Sequence, residues 1–356
     1  MLAYWLLFAV SAWRADYRLP YGVTATTNWP NWWLLIFGLL VLMIGLRHEV
    51  GGDWGNYVQQ IYEASFDTFQ ESVIKKDPAY SILNWLSARF YLSPHYINAV
   101  CAVLFSWGLI VFCRVQPLPW LALTVAIPYL VTVVAMGYTR QGVAIGLIMI
   151  GLVALTEQKI LRFMVFVALA ALFHRSAIIL IPFAILAGTQ NRLLTVLWVS
   201  GSGLVLHFLL LQESVDSLYE NYIVAQYDSS GAAIRITMNA VPAMLFLLFR
   251  QRFAMPKKER TFWTWMSLSA LMLIGLLVVS PSSTAVDRVA LYWIPLQLFV
   301  LSRLPDAMTR NPKRNIIWIR LVIFYSAAVL FVWLFFATHA SSWLPYQFYP
   351  WVLFWQ

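Results

Sequence analysis

The stretch PLPWLALTVAIPYLVTVVAMGYTRQGVAIGLIMIGLVAL, residues 117–155, holds one charged residue, Arg140, among thirty-nine. Two apolar runs, 117–137 and 140–155, meet there at Gly137-Tyr138-Thr139-Arg140. Runs of this length and polarity read as membrane-spanning helices, because hydrocarbon offers a backbone no water and forces it to satisfy its own hydrogen bonds. A guanidinium at the end of such a run is costly unless it faces a wet cavity or pairs with an anion, so Arg140 marks a functional site from the outset.

The rest of the 356 residues repeat this pattern. With 61% hydrophobic and 11% charged residues and a mean hydropathy of +0.72, the chain reads as an all-α, polytopic integral membrane protein, and soluble-enzyme readings drop out. About twelve spans are expected: 1–13, 31–46, 95–113, 117–137, 140–155, 160–173, 176–188, 193–211, 236–250, 261–280, 288–302 and 316–338. They leave no room for a separate globular domain, so residues 1–356 read as one transmembrane domain with two larger loops, 47–94 and 212–235. The run Leu2–Trp13 has no basic region before it and no small-residue cleavage site after it, and reads as a helix that stays. Cys101 and Cys113 lie in one expected helix, about 18 Å apart by helical rise, and cannot bridge.

Counting charge in alternate loops gives sidedness. One set holds sixteen Lys and Arg against four acids, net +12; the other holds eight against eleven, net −3. The first set is cytoplasmic by the positive-inside rule, which puts both termini and both larger loops outside. Arg47, Arg140, Arg175, Arg235 and Arg288 all belong to the outer set, each at the end of an apolar run. Five such arginines on one side suggest a phosphate-bearing lipid as substrate.

The runs 160–173 and 176–188 are too short to cross comfortably, at about 20 Å each against a hydrocarbon core of about 30 Å. One helix from 160 to 188 would span, but it would bury His174 and Arg175 at mid-membrane and invert every later loop. Two short helices are expected instead, meeting below the outer surface with His174 and Arg175 on the floor of a water-filled depression. The loop Arg47-His48-Glu49-Val50-Gly51-Gly52-Asp53-Trp54-Gly55-Asn56-Tyr57 packs acids, bases and donors among three glycines. It reads either as a site or as a turn with Asp53 capping a helix. Asp77-Pro78-Ala79-Tyr80 reads as a helix start, and Ile82, Leu83, Leu86 and Phe90 at helical spacing make that helix amphipathic, lying along the outer surface. The aromatic clusters Asn28–Trp33 and Trp343–Trp351 read as interfacial belts.

Taken in order, Arg47 with Gly51-Gly52-Asp53 and Tyr57, Asp77-Pro78-Ala79-Tyr80 with Asn84, Tyr138 with Arg140-Gln141-Gly142, His174 with Ser176, and Asp287-Arg288 with Tyr292 resemble the EpsG family of Wzy-type polysaccharide polymerases. The double glycine at 51–52, Trp54 and the loop around Arg235 depart from the pattern. The resemblance implies a GT-C-like or Wzy-like helical bundle with an outward-facing cavity. It also implies a multi-pass enzyme of the bacterial cytoplasmic membrane whose site faces the periplasm or exterior. Such an enzyme moves a growing glycan from undecaprenyl pyrophosphate to the far end of a new lipid-linked repeat unit. Its implied partners are the lipid-linked oligosaccharide, membrane lipids, and a chain-length regulator and flippase of the same pathway; no nucleic acid is expected.

The residues suit that chemistry. Pyrophosphate leaves readily and needs cations more than a general acid, and arginine supplies permanently charged planar forks. Arg140, Arg175 and Arg288 are first choices for a clamp, with Arg47 and Arg235 beside them, and Tyr57, Gln141, Asp287 and Tyr292 in support. The attacking hydroxyl needs a base, and His174 and Asp53 both stand open for the role. No nucleotide-binding loop, zinc-ligand pattern or Asp-x-Asp occurs, so no cofactor or obligatory metal is expected. A glycan ligase using the same donor is the closest rival; a lipid-linked oligosaccharide transporter would need charges through the bundle and repeated halves, and an acyltransferase would need a donor site entered from the cytoplasm.

Overall fold

The computed structural model describes residues 1–16, 30–183, 197, 201, 231–280, 282–309 and 311–355. Among them the chain is helical without strands, and the protein is an all-α polytopic membrane protein. Six of the described helices are long and apolar enough to cross a membrane: 94–114, 139–156, 232–249, 257–279, 283–308 and 315–336. Three shorter apolar helices lie at 31–45, 119–135 and 160–173. Positions and order follow the expected spans. The span 193–211 (positions 197 and 201 apart), the span 176–188 beyond residue 183, and the loop 212–235 up to residue 230 lie outside the described residues.

The chain forms two compact units. The first comprises Met1–Ile150, Leu169–Arg175 and Ile319–Gln356. It contains α1 (Leu2–Asp16), α2 (Asn31–Gly45), the short helices α3 (Trp54–Ala64), α4 (Phe69–Ile74) and α5 (Pro78–Arg89), then α6 (Pro94–Arg114) and α7 (Pro119–Ala126). α7 runs on as a π-helix, Ile127–Ala135, and α8 (Thr139–Thr156) follows. Small residues let these helices approach closely, the usual device where no water drives helix association. A Cβ on Gly108 of α6 would fall 1.9 Å from the carbonyl of Gly146 on α8, and one on Gly45 of α2 would fall 2.8 Å from Cα of Ala99 on α6. Within the π-helix the Thr132 carbonyl accepts from Trp343 Nε1 at 2.7 Å.

Two expectations change here. Trp343 is 2% exposed and Trp33, stacked on Trp120 at 4.5 Å, is 6% exposed, so these two are core residues, not belt; Trp32 and Trp351 are exposed. α5 begins at Pro78 as expected, but it buries Tyr80, Asn84 and Ser87 and leaves Phe90 exposed. Its inner face is polar because Tyr80 packs beside a charged centre.

The second unit comprises Gly151–Ala168 and Ser176–Trp318. α9 (Ile160–Phe173) leads out of it and ends at His174, where a 3-10 turn, Arg175–Leu180, begins. The chain therefore breaks at His174, as two short helices require. α10 (Ala232–Phe249) packs on α11 (Lys257–Val279), α12 (Ser283–Ala290) and α13 (Ile294–Met308). α14 (Pro312–Phe336) then carries the chain back to the first unit, which ends in α15 (Tyr349–Trp355). Within the second unit Arg235–Asp287 and Arg303–Glu259 are ion pairs, and each joins two residues of one charge set. Arg140–Asp77 and Arg320–Asp16 do the same in the first. Cys101 and Cys113 are buried and free.

Candidate active site

The centre of the first unit's polar cluster is Asp77, which in the sequence reads as a helix start and as part of the family resemblance but not as a site residue. It stands at the position before α5 with Pro78 in the first turn, yet its side chain makes no capping bond. The carboxylate turns inward instead. Arg140 Nη1 donates to Oδ2 at 2.8 Å, the backbone N–H of Arg175 donates to Oδ1 at 3.2 Å, and His174 Nδ1 lies 3.8 Å from Oδ2. Asp77 is 4% exposed. Burial alone would raise its carboxyl, but His174, Arg140 and the Arg175 N–H together outweigh it and hold the carboxyl below the ordinary carboxylate range. One buried anion thus gathers a guanidinium, an imidazole and the residue that follows it.

Arg140 is not spent on this bond. Its side chain keeps 35% exposure, and its guanidinium sits 5.7 Å over the Tyr80 ring. The His174 side chain keeps 22% exposure. The site therefore presents a cation and an imidazole side by side, anchored from beneath.

The anchoring runs through the first residue of α8. Thr139 N–H, one of the donors a helix start leaves unsatisfied, gives its hydrogen to Tyr57 Oη at 2.9 Å, and that hydroxyl donates to the Gly137 carbonyl at 3.4 Å. Burial, then the nearby Asp53 carboxylate, push the Tyr57 phenol up to about 12, so it stays a donor at neutral pH. Thr139 Oγ1 accepts from Arg47 Nη2 at 2.7 Å. Gly51 closes the loop beneath, with φ +104°; a Cβ there would lie 2.3 Å from the Met136 carbonyl oxygen.

Arg47 departs from its expected place in the phosphate clamp. It is 0% exposed, and its donors go to Val50 O at 3.2 Å, Ile44 O, Asn98 Oδ1 at 3.1 Å and Thr139 Oγ1. A fully buried fork whose nitrogens are committed to protein oxygens is a strut between α2, α6 and α8. Asp53 stands just before α3 and does not cap it; the bonds that hold Arg140 and Arg175 run to Asp77. Gln141 is buried in the first turn of α8, while Arg175 is part-buried and reaches the centre through its backbone.

The remaining candidates belong to the second unit. Arg235 grips Asp287 with two bonds, Nε to Oδ1 at 2.7 Å and Nη2 to Oδ2 at 2.6 Å, so the partner of Asp287 in this fork is Arg235 on α10, not its neighbour Arg288. Arg288 is exposed on α12. Tyr292 is fully buried, its hydroxyl 2.9 Å from Ser176 Oγ. Asn239 ties α10 to the same region, donating to Ala290 O at 2.8 Å and accepting from Gln297 Nε2 at 2.7 Å.

Fold and site together define a polytopic helical membrane protein with a buried carboxylate that holds arginine and histidine at a helix junction. The family model for the EpsG family matches residues 31–348, and the chain belongs to that family. Membership carries a polysaccharide-polymerase type of function and a place in polysaccharide biosynthesis. No curated protein matches the chain, and no solved structure does.

Proposed function

We propose that this protein is a polysaccharide polymerase of the bacterial cytoplasmic membrane. It transfers a growing glycan from undecaprenyl pyrophosphate to the non-reducing end of a new lipid-linked repeat unit, on the face away from the cytoplasm. The observation that carries the reading is the meeting of Arg140 and His174 on Asp77 in a member of the EpsG family. The charge counts, −3 against +12, support the outer assignment of this centre.

In this reading the accessible part of Arg140 takes charge that develops on the leaving pyrophosphate, an interaction that grows toward the transition state. Arg175 is a further phosphate contact, and Arg288, exposed on α12, is a phosphate-binding candidate within its own unit. The acceptor hydroxyl attacks the anomeric carbon, its proton passes to a base, and the electron pair of the breaking carbon–oxygen bond stays with the pyrophosphate. In this reading His174 is the base; its place beside Asp77, the carboxylate that holds Arg140, supports the choice over Asp53.

Purified protein in liposomes, given undecaprenyl-pyrophosphate-linked repeat units alone, tests this. A ladder of glycans spaced by one repeat supports it. A single transfer to a different acceptor would show a ligase, and movement of intact substrate between leaflets without a ladder would show a transporter.

A further inference from the structure

Asp77 is more than an anchor for Arg140, and the reason lies in one atom of His174. Nδ1 of that imidazole is buried and has no hydrogen-bond partner within reach, and the carboxylate oxygen Oδ2 of Asp77 stands 3.8 Å away. A neutral imidazole carries its proton on one nitrogen and a lone pair on the other. A lone pair on Nδ1, an atom closed to water, would face an anion, whereas an N–H there faces the anion attractively. With Nδ1 buried, the accessible 22% of the side chain lies on its other atoms.

From this geometry we infer that Asp77 is a positioning residue that fixes the His174 tautomer, with the proton on Nδ1 and the lone pair on Nε2. The inference rests on the polymerase reading above for what the lone pair does: Nε2 is the nitrogen that takes the acceptor hydroxyl's proton. The steps balance. The hydroxyl oxygen bonds the anomeric carbon as the carbon–phosphate oxygen bond breaks toward pyrophosphate, and the proton lost moves to Nε2. The resulting imidazolium has Nδ1–H toward Asp77 and returns its Nε2 proton to solvent before the next transfer. Arg140 and the Arg175 N–H hold the carboxylate in place through both halves. The same carboxylate therefore sets the cation that meets the leaving group and the nitrogen that meets the nucleophile.

Among the described residues, the other charged groups that meet this carboxylate are Arg140 on α8 and, through its backbone, Arg175 at the start of the 3-10 turn. Neither is a hydrogen-bond acceptor, so Asp77 is the group that selects the tautomer.

The test reads the tautomer directly. The protein labelled with ¹⁵N-histidine is examined by NMR in detergent at alkaline pH, and His174→Gln assigns the signal by difference. The expected result is a protonated Nδ1 and an unprotonated Nε2 at His174. In Asp77→Asn, whose amide can meet Nδ1 with either its oxygen or its NH₂, a mixture of tautomers is expected. Glycan transfer should drop at least 100-fold in kcat with KM little changed, on the scale of a positioned base. A resting His174 with its proton on Nε2 overturns the inference without any change at Asp77. An unchanged tautomer and unchanged kcat in Asp77→Asn overturn it as well. The NMR reading needs no turnover, so the tautomer and the polymerase activity stand or fall separately.

Discussion

Arg47→Lys separates structure from substrate binding at the most buried of the arginines. Arg47 reaches four oxygens on three sides, the carbonyls of Val50 and Ile44, Asn98 Oδ1 and Thr139 Oγ1. A lysine ammonium offers three donors from one point and cannot meet a fork's geometry, so at least two of these bonds are lost. A buried acceptor left without a partner costs about 1–3 kcal/mol, and bonds from a charged donor lie toward the upper end. The substitution should therefore destabilise by about 3–5 kcal/mol, which lowers an unfolding midpoint by about 4–7 °C in a protein of this size. Tryptophan fluorescence during heating in detergent reads this directly, since the chain carries eighteen Trp. An Arg47→Lys protein that melts with the wild type but fails to elongate glycan would refute the strut and return Arg47 to the substrate.

Arg140→Lys should do the opposite, holding its midpoint to within a few degrees while losing at least tenfold in transfer, about 1.4 kcal/mol of transition-state stabilisation; full turnover would remove Arg140 from the phosphate. Arg288→Lys should likewise lose transfer, and Arg260→Lys should be nearly silent in the same assay, since its bonds to Gln251, Phe253 and Met255 are all 3.3–3.4 Å long. Gly51→Ala should cost several degrees of midpoint, because the backbone there has positive φ and the new Cβ meets the Met136 carbonyl, whereas Gly52→Ala, with open space around it, should melt as the wild type does. The stability that Asp77 contributes is complete above the ordinary carboxylate range and is lost as pH falls through its own depressed value, so the midpoint gap between wild type and Asp77→Asn should narrow as the pH is lowered from 3.8 through that depressed value. A gap that stays constant over that range would contradict the charge role.

Hydropathy made most of the helices legible, since a membrane leaves the backbone few alternatives. The break at His174 was legible too, from the shortness of the runs around it. What the sequence hid were partners distant along the chain. Asp77 before Pro78 looks like a cap, and only the fold brings Arg140 and His174, 63 and 97 residues away, to its carboxylate. Arg47 stood out as a charge at a helix end, but its role depends on Asn98 and Thr139, 51 and 92 residues on. Asp287 reads as a supporting residue beside Arg288, and only the fold shows that Arg235, 52 residues before it on α10, grips its carboxylate with two bonds. Trp343 sat in an aromatic cluster that reads as a belt, yet a π-helix carbonyl draws it inside.

The most direct measurement is glycan elongation in liposomes by wild type, Arg140→Lys and His174→Gln, with unfolding midpoints taken on the same preparations. A repeat-unit ladder from the wild type, slowed at least tenfold in Arg140→Lys and lost in His174→Gln while their midpoints hold, is the predicted result. A ladder of undiminished length and rate from either folded variant would contradict the assignment of glycan transfer to the centre around Asp77.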